Sequence, residues 1–351
     1  MTESTTTSQQ LAAYTAARQA AALADLGAYG WLRVAGPDRL DFVQRLSTND
    51  LRPLVRGQGL PTVLTNPLGR IIALLTVYAA VDVLYLRSAP GQAAALKRYL
   101  ANMIFYNDHV QVEDAGPEVA QFALFGPESA DVLAGLFNLD ETEPAAWLPA
   151  APYTWAQVQL AGVPLMLQRG GPLDLADWLL VVPLASALTL WETLAGRLPV
   201  LDAEIQEVLR VEAGLPAWDH ELSDQVTPLE AGLLSAISYN KGCYTGQEII
   251  ARQTNYDKVT RRLAGLLLPA GAGDGLDLRG AAVTAAAAGR PSGRAGFVGS
   301  AVHSPALGQS IALAVVPRDA SEPGSQVTVR QGEQEFVATV TGLPFVRSAK
   351  Q

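Results

Sequence analysis

The chain has 351 residues, which is enough for two or three domains, and 49% of them are hydrophobic, as in ordinary globular proteins. Its net charge of −9 argues against a broad nucleic-acid-binding surface, and its single cysteine excludes both an intramolecular disulfide and an iron–sulfur cluster held by four cysteines of one chain. No apolar run is long enough to cross a bilayer, so we predict a cytoplasmic protein without a membrane partner.

Helical and strand patterns are mixed in the first hundred residues. Residues 1–10 are polar, lack the parts of a signal peptide, and are predicted to form a disordered tail. Residues 37–46 carry apolar side chains at helical spacing. Strand-like runs follow at residues 60–65, 71–78 and 81–86, with a tight turn predicted at residues 66–69. Ser88 is predicted to cap a helix that continues to about Ile104.

The middle of the chain continues this mixture without a strict alternation of strand and helix. Strand-like runs occur at residues 119–125, 155–160, 163–168 and 178–183, and helical stretches occur at residues 128–137 and 187–198. Asp202 is then predicted to cap a helix that Gly214 closes. This mixture favours an α+β fold over a doubly wound parallel sheet.

Short β-rich runs separated by glycine and proline dominate the chain after Lys258. They lie at residues 263–268, 296–302, 311–316, 326–330 and 336–341. Their near-regular spacing predicts a small antiparallel barrel or sandwich. Residues 271–293 are predicted to form a long loop or flexible hairpin.

The segment Lys241-Gly242-Cys243-Tyr244-Thr245-Gly246-Gln247-Glu248 contains the only cysteine and lies between two predicted helix starts. Residues 227–230 and 245–248 both match the Thr-x-x-Glu pattern of a capping box. Helices are therefore predicted to begin at Pro228 and at Gly246. The cysteine would occupy the link between these two helices.

Cys243 is the side chain of this link with the greatest chemical reactivity. Proximity to the positive end of a helix dipole and to Lys241 would favour the thiolate, which is the nucleophilic form. A buried cysteine that acts as a small hydrophobic side chain explains the sequence equally well. The histidines show no metal-ligand spacing and lie far from the cysteine in sequence, so neither a metal site nor a Cys–His pair is predicted; they are His109, His220 and His303.

Residues 241–248, followed by Ala251-Arg252, are similar to the signature of the YgfZ family of folate-binding, iron–sulfur-related proteins. The wider chain resembles the glycine-cleavage aminomethyltransferase (T-protein) superfamily, to which YgfZ belongs. The matching segments are residues 42–50, 66–70, 209–216, 227–233 and 304–308. The resemblance spans the chain from about residue 30 to its end.

The resemblance implies three domains arranged as a ring around a folate pocket. Two intertwined α/β domains would occupy residues 11–257, and an antiparallel β-barrel would occupy residues 258–351. It also implies that the ligand is tetrahydrofolate and that the protein assembles or repairs iron–sulfur clusters, including those of tRNA-modifying enzymes. The predicted partners are folate and iron–sulfur client proteins, without direct nucleic-acid contact, and the predicted state is a monomer.

The predicted site residues fall into two groups. Cys243, assisted by Lys241, is predicted to be the working group of the accessory function. Folate contacts are predicted at Arg210, Asn66, Tyr244, Gln247 and Glu248. The basic residues Arg252, Lys258, Arg261 and Arg262 are predicted to form a solvated face, with binding of a polyglutamate tail as the alternative.

Two departures from the superfamily argue against aminomethyl transfer. The aminomethyltransferases carry an Asp shortly after the strand that here ends near Arg87, but residues 88–95 contain no acid. The segment that holds the pterin in those enzymes carries a Glu, and its counterpart at residues 172–175 has Leu there. A site without these acids is poorly equipped for proton transfer. A folate-dependent one-carbon transferase and a folate-sensing module with a structural Cys243 remain the alternatives.

Overall fold

A computed structural model describes residues 7–136, 149, 151–160, 162–272, 277–285 and 295–347. These residues form two five-stranded sheets and a closed six-stranded barrel, and every pairing among their named strands is antiparallel. The predicted α+β class with a C-terminal barrel is therefore confirmed. The predictions for residues 1–6, 137, 273–276, 286–294 and 348–351 lie outside the described residues.

Seven α-helices and sixteen β-strands make up the described structure. The helices are α1 (Ser8–Gln19), α2 (Arg39–Leu46), α3 (Ala93–Asn102), α4 (Ser129–Leu136), α5 (Leu184–Ala195), α6 (Ala203–Glu212) and α7 (Gln247–Asn255). The strands of the two sheets are β1 (Ala22–Asp25), β2 (Tyr29–Ala35), β3 (Gly59–Thr65), β4 (Ile71–Ala79), β5 (Val83–Pro90), β6 (Gln111–Asp114), β7 (Val119–Phe125), β8 (Trp155–Leu160), β9 (Val163–Arg169) and β10 (Trp178–Pro183). The barrel strands are β11 (Arg261–Leu267), β12 (Ala282–Ala285), β13 (Gly296–Ser304), β14 (Gln309–Pro317), β15 (Gln326–Gln331) and β16 (Gln334–Thr341).

The first sheet has the strand order β3-β4-β5-β2-β6 and carries α2 and α3 on one face. Alternate residues of β4, among them Leu75 and Val77, share a core with Phe42 of α2 and Leu96 of α3. This arrangement follows from the period of two in a strand and of about 3.6 in a helix, which each place apolar side chains on one face.

The second sheet has the order β1-β7-β10-β9-β8 and packs its apolar face against α4 and α5. Its edge strand β1 comes from the N-terminal end of the chain, which then crosses to the first sheet as β2. Leu23 of β1 also exchanges backbone hydrogen bonds with Pro199 and Leu201 just before α6. The two sheets are therefore connected by an early crossing of the chain.

A buried carboxylate joins the N-terminal helix to the barrel. Glu212 at the end of α6 is fully buried and accepts hydrogen bonds from Tyr14 at 2.8 Å and from Ser304 at 2.5 Å. Arg18 of α1 lies 3.1 Å from the same carboxylate. Since a buried charge is tolerated only when it is paired and hydrogen-bonded, these contacts fix three parts of the chain to one another.

The predicted tail and the predicted cap at Ser88 are both corrected by the structure. Helix α1 begins at Ser8, because Thr7 and Gln10 form a reciprocal capping box, so the prediction of a disordered tail is wrong for residues 8–10. Ser88 lies inside strand β5, where it pairs with Gly30, and α3 starts five residues later without a side-chain cap.

The helix predicted at Pro228 is wrong, although the capping-box hydrogen bonds are present. Thr227 and Glu230 bond each other's backbone nitrogens at 3.0 and 3.3 Å, but residues 228–232 form turns rather than an α-helix. Gly232 adopts a left-handed φ of 72°, which ends the first turn. Of the two alternatives predicted for residues 271–293, the described part favours the hairpin over the loop, because it contains β12, which pairs antiparallel with β13.

Candidate functional site

A cavity of about 500 Å³ lies between the two sheets, helix α6 and residues 215–222. Its volume falls in the range of roughly 300–1,000 Å³ that suits small-molecule ligands. Apolar side chains from both sheets and from the segments after them line it, including Leu74, Phe125, Leu175, Leu179 and Leu222. The polar lining residues form two groups, one around Asp174 and one around Arg210.

Arg87 of β5 and Asp174 form an ion pair in the cavity wall, with Nη1 of the arginine 3.2 Å from Oδ1 of the aspartate. Their side chains are only 9% and 8% exposed. The guanidinium also lies over the ring of Tyr29 at 4.1 Å. Burial raises the pKa of Asp174, and the charge of Arg87 together with the Gly171 N–H opposes that rise.

Two polar atoms near this pair are buried and have no hydrogen-bond partner among the described residues, namely Nε of Arg87 and Oγ of Ser88. Neighbouring residues of a strand point to opposite faces, and Oγ of Ser88 lies on the α3 side of β5, where a Cβ at Gly30 would meet it together with Ala93. Nε of Arg87 is therefore the unpaired atom on the side of the cavity. Because an unpaired buried polar atom carries a desolvation penalty, this Nε indicates a ligand that supplies a hydrogen-bond acceptor.

Arg210 is the centre of the second polar group. Its guanidinium donates to Glu207 with Nε at 2.8 Å, to Glu221 with Nη1 at 3.2 Å and to Ser300 with Nη2 at 2.5 Å. Glu221 is fully buried, and its Oε1 has no partner among the described residues. Helix α6 places this arginine because the Asp202 cap, predicted from the sequence, fixes the start of the helix.

Lys241 anchors the cysteine segment to the first domain. Its Nζ donates to the backbone carbonyls of Gln44 at 2.6 Å, Ser47 at 2.5 Å and Asn49 at 2.8 Å. Burial lowers the pKa of Lys241 to about 8, so the ammonium still predominates at neutral pH and all three hydrogens are available. The structure thus places the amine against carbonyl oxygens, in a position that holds residues 241–248.

Cys243 is exposed, which excludes the hypothesis that it is a buried hydrophobic side chain. Helix α7 begins at Gln247, and its N-cap is Gly246 rather than Thr245. Tyr244 packs with Ile237 and Ile250. The pKa of its phenol is raised to about 12, mainly by burial and to a smaller extent by the nearby Tyr239.

The cysteine segment lies against the turn at residues 66–69. Oγ1 of Thr65 donates to the Thr245 carbonyl at 2.5 Å, and the Asn66 side-chain oxygen accepts from two nitrogens within its own turn. Of the seven predicted site residues only Arg210 lines the cavity; the others form a second region, namely Asn66, Lys241, Cys243, Tyr244, Gln247 and Glu248. The structure therefore separates the cavity from the thiol.

Gly246 offers a direct test of this packing. Its φ is 83°, and a Cβ at this position would lie 2.6 Å from the Asn66 carbonyl oxygen. We expect Gly246→Ala to lower the free energy of unfolding by at least about 2 kcal/mol, because left-handed strain and the close contact act together. Urea unfolding measures this. Gly242→Ala is the matched control, because a Cβ there meets no atom within 4 Å, and equal effects of both would contradict the packing.

The basic residues after the cysteine segment do not form one face. Arg261 is buried and donates from Nε to Glu230 at 3.0 Å, so it belongs to the junction with the barrel. Arg262 lies 4.0 Å from Glu322 on the barrel surface, and Lys258 lies over the ring of Tyr256. The prediction of a shared solvated face is therefore wrong for Arg261.

Arg87 and Asp174 are cavity residues that the sequence did not identify. The counterpart of the pterin-holding segment was predicted at residues 172–175, where the sequence has Leu in place of the expected Glu. The neighbouring Asp174 is the acid that reaches the cavity. The sequence feature that could have identified Asp174 is its position between two leucines in a turn rich in glycine and proline.

The three-domain architecture is found in known proteins. The fold is similar to that of the glycine cleavage system aminomethyltransferase T from Bartonella henselae, with a TM-score of 0.79 over 96% of this chain and 90% of that one. The sequence identity in this comparison is 22%, so it shows a common fold.

Sequence models identify the family. The model of the GCVT N-terminal domain matches residues 3–241, and the model of the glycine cleavage T-protein C-terminal barrel domain matches residues 261–347. The chain belongs to the glycine cleavage T-protein family, which confirms the superfamily predicted from its motifs.

Named relatives agree with this family. An aminomethyltransferase of Caldanaerobacter subterraneus subsp. tengcongensis is 30% identical over 95% of this chain and 86% of its own length. One of Moorella thermoacetica is 30% identical over 95% of this chain and 88% of its own. A chloroplastic protein of Arabidopsis thaliana, named provisionally as a transferase, is 34% identical over 70% of this chain; the match spans 56% of the plant protein.

In the described part of the chain, no helix is long and apolar enough to span a membrane. No group of three or more His, Cys, Asp or Glu side chains among the described residues could hold a metal ion.

Proposed function

We propose that the chain is a tetrahydrofolate-binding accessory protein of the YgfZ type, which supports the assembly or repair of iron–sulfur proteins, including tRNA-modifying enzymes. The cavity that contains the Arg87–Asp174 pair is the observation that carries the folate assignment. It combines apolar walls with a few fixed polar groups, as small-molecule sites do. Membership of a family with relatives named aminomethyltransferase supports the same ligand class.

The cavity residues fit the hydrogen-bonding pattern of a pterin ring. A pterin presents an amino group and a ring N–H as donors, and the Asp174 carboxylate can accept from them. Its carbonyl and ring nitrogens are acceptors, and Arg87 Nε is an unpaired group that can donate to one of them. Arg210, whose guanidinium is already bonded to Glu207 and Glu221, would support the opposite wall.

The exposed thiol supports the second half of the proposal. Cys243 lies on a segment that Lys241 fixes to three backbone carbonyls, so the thiol is presented from a held loop. It does not line the cavity. We propose that Cys243 meets iron–sulfur client proteins at the surface while folate occupies the cavity.

Calorimetry with tetrahydrofolate tests the cavity assignment. Arg87→Lys should weaken binding about tenfold, because lysine has no Nε–H group to bond the ligand although it keeps a positive charge beside Asp174. Stability should fall by less than about 1.5 kcal/mol, since the ion pair can still form. Arg197→Lys, at an exposed position outside the cavity lining, is the control. Wild-type protein that does not bind tetrahydrofolate would refute the assignment.

Cys243→Ser tests the accessory role separately. In a strain that depends on this protein, the variant should lose at least about half of the activity of iron–sulfur enzymes, because serine does not reproduce thiolate chemistry. Its tetrahydrofolate affinity should stay within about twofold of wild type, because the thiol lies outside the cavity. Wild-type enzyme activities in the mutant strain would count against the role of the thiol.

A one-carbon transferase is the second candidate, and Asp174 is the observation that favours it. This acid lies in the cavity, and burial raises its pKa, as in many groups that transfer protons. The relatives named aminomethyltransferase match nearly the whole chain. Release of ammonia from an aminomethyl donor in the presence of tetrahydrofolate, abolished in Asp174→Asn protein under conditions where urea unfolding shows the variant to be folded, would favour this candidate over the accessory protein.

A further inference from the structure

The guanidinium of Arg210 in the cavity wall is fully hydrogen-bonded to the protein. It has five N–H groups and no acceptor. Nε donates to Glu207 at 2.8 Å, and Nη2 donates to Glu207 and to Ser300, both at 2.5 Å. Nη1 donates to the Leu215 carbonyl at 2.5 Å and to Glu221 at 3.2 Å. These five bonds match the five N–H groups, so no donor of Arg210 is left for a ligand.

The partners of Arg210 come from three parts of the fold. Glu207 lies three residues before Arg210 on α6, and Ser300 belongs to β13 of the barrel. Leu215 lines the cavity, and Glu221 is fully buried beside it. A ligand carboxylate could reach this guanidinium only by displacing one of these partners. The displaced Glu207 or Glu221 would then lie beside a second anion, so the exchange would gain no charge pairing.

Arg87 is the other cation of Lys or Arg type among the described residues that line the cavity. Its guanidinium already carries the charge of Asp174 at 3.2 Å, and both side chains are buried. A ligand carboxylate at its unpaired Nε would place two anions on one buried cation, whereas a neutral acceptor adds no charge.

A third carboxylate of the cavity lining, Asp25, has no cationic partner among the described residues. It is exposed, and its Oδ1 accepts from the Gly27 N–H at 2.8 Å. In the described lining, carboxylates therefore outnumber guanidinium groups by three to two. A lining of this charge repels an anionic group of a ligand.

We infer that the cavity binds an uncharged, hydrogen-bonding ring and gives no favourable contact to carboxylate groups. Resting on the proposed function, the inference assigns the cavity to the pterin end of folate and leaves its glutamate tail unrecognised. The basic residues for which the sequence allowed a polyglutamate role are not part of the described lining, namely Arg252, Lys258, Arg261 and Arg262.

The state of Arg210 is measurable without any ligand. Because charge-assisted bonds to all of its N–H groups hold the guanidinium still, its Nη hydrogens should give separate resonances in proton–nitrogen spectra of arginine-labelled protein. Arg210→Lys identifies these signals. Arg98, which is exposed on α3, should show one averaged Nη signal and serves as the control. An averaged Nη signal for Arg210 as well would overturn the claim that its donors are all used.

Calorimetry with tetrahydrofolate that carries one or five glutamates tests the specificity. The measurement is made at pH 8, where an ordinary imidazole is neutral, so that His220 of the lining adds no cation. The five-glutamate form should bind no more tightly than the one-glutamate form at about 150 mM salt, and less tightly at about 20 mM salt, where repulsion is less screened. Tighter binding of the five-glutamate form would overturn the inference.

Asp25→Asn tests the contribution of the lining charge. Asparagine keeps an oxygen for the Gly27 N–H but removes the charge, so one-glutamate tetrahydrofolate should bind about twofold tighter at about 20 mM salt. Asp82→Asn, at an exposed bend outside the cavity lining, should leave the affinity unchanged. Equal affinities of Asp25→Asn and wild type would overturn the role of this charge.

Failure of the folate proposal has a different signature. Wild-type protein that binds neither form of tetrahydrofolate would refute the proposed function and the assignment of the pterin end. The spectrum of the ligand-free protein would still decide whether Arg210 has a donor to offer. Binding of both forms, with the five-glutamate form tighter, would leave the folate proposal standing and overturn the inference alone.

Discussion

The Asp174→Asn variant is expected to lose about 3–5 kcal/mol of unfolding free energy, because it leaves the Arg87 guanidinium buried without its carboxylate. Arginine cannot escape this penalty by losing its proton. Arg87→Met should lose less, about 1–2 kcal/mol, because Asp174 can take up a proton when its cation is removed. Urea unfolding at pH 5 and pH 8 would measure both variants.

The pH dependence of Arg87→Met has a definite sign. Burial raises the pKa of Asp174 in the folded chain, so the folded state binds more protons than the unfolded state above the ordinary carboxyl pKa of about 3.9. Stability should therefore be highest at low pH and should fall as pH rises toward the raised pKa.

Glu113→Gln, which removes an exposed partner of Arg33, should cost less than about 1 kcal/mol. An Asp174→Asn protein as stable as this control would show that the pair is unimportant.

Lys241→Met should lower the free energy of unfolding by about 3 kcal/mol. The variant removes the donor from three carbonyl oxygens, those of Gln44, Ser47 and Asn49, and methionine cannot replace it. The effect should also reach Cys243, because the segment loses its attachment to the first domain. The rate of alkylation of the single cysteine should change along with the urea midpoint.

Lys97→Met is the control for Lys241, because Lys97 is exposed on α3 and should change stability by less than about 0.5 kcal/mol. Comparable stability of the two variants would contradict the anchoring role. Unchanged alkylation of Cys243 despite the loss of stability would show that the loop holds its thiol without Lys241.

The parts of the fold that the sequence predicted are those specified by local patterns. The turn at residues 66–69 was predicted from its Asn, Pro and Gly, and the Asp202 cap was predicted from its position before an amphipathic helix. The barrel was predicted from short β-rich runs separated by glycine and proline. Each of these features depends on residues that are close together in the chain.

The features that the sequence missed depend on distant partners. Strand β1 has the sequence Ala-Leu-Ala-Asp, which has no strand propensity, and it is a strand because β7 pairs with it nearly a hundred residues later. The box at Thr227 shows the opposite case. Its local hydrogen bonds form as predicted, yet Gly232 ends the turn, since a capping box specifies where a helix can start and not that it continues.

The candidate site was predicted only in part for the same reason. The motif located the cysteine segment and Arg210, but the cavity is assembled from strands and loops far apart in sequence. Arg87 and Asp174 are 87 positions apart, and neither has a distinctive neighbour. The roles of Lys241 and Asn66 could not be read from residue type, since both side chains are bonded to backbone groups whose positions depend on the fold.

The crossing of the chain at β1 sets an order for folding during synthesis. All strands of the first sheet lie between Tyr29 and Asp114, so that sheet can close while the rest of the chain is still on the ribosome. Strand β1 leaves the ribosome earlier but meets β7 only after residue 125, and it meets the segment around Val200 later still. Until then its backbone groups must be satisfied by water or by a chaperone. Nascent chains that stall between these points are therefore expected to carry a folded first sheet beside an unpaired N-terminal strand.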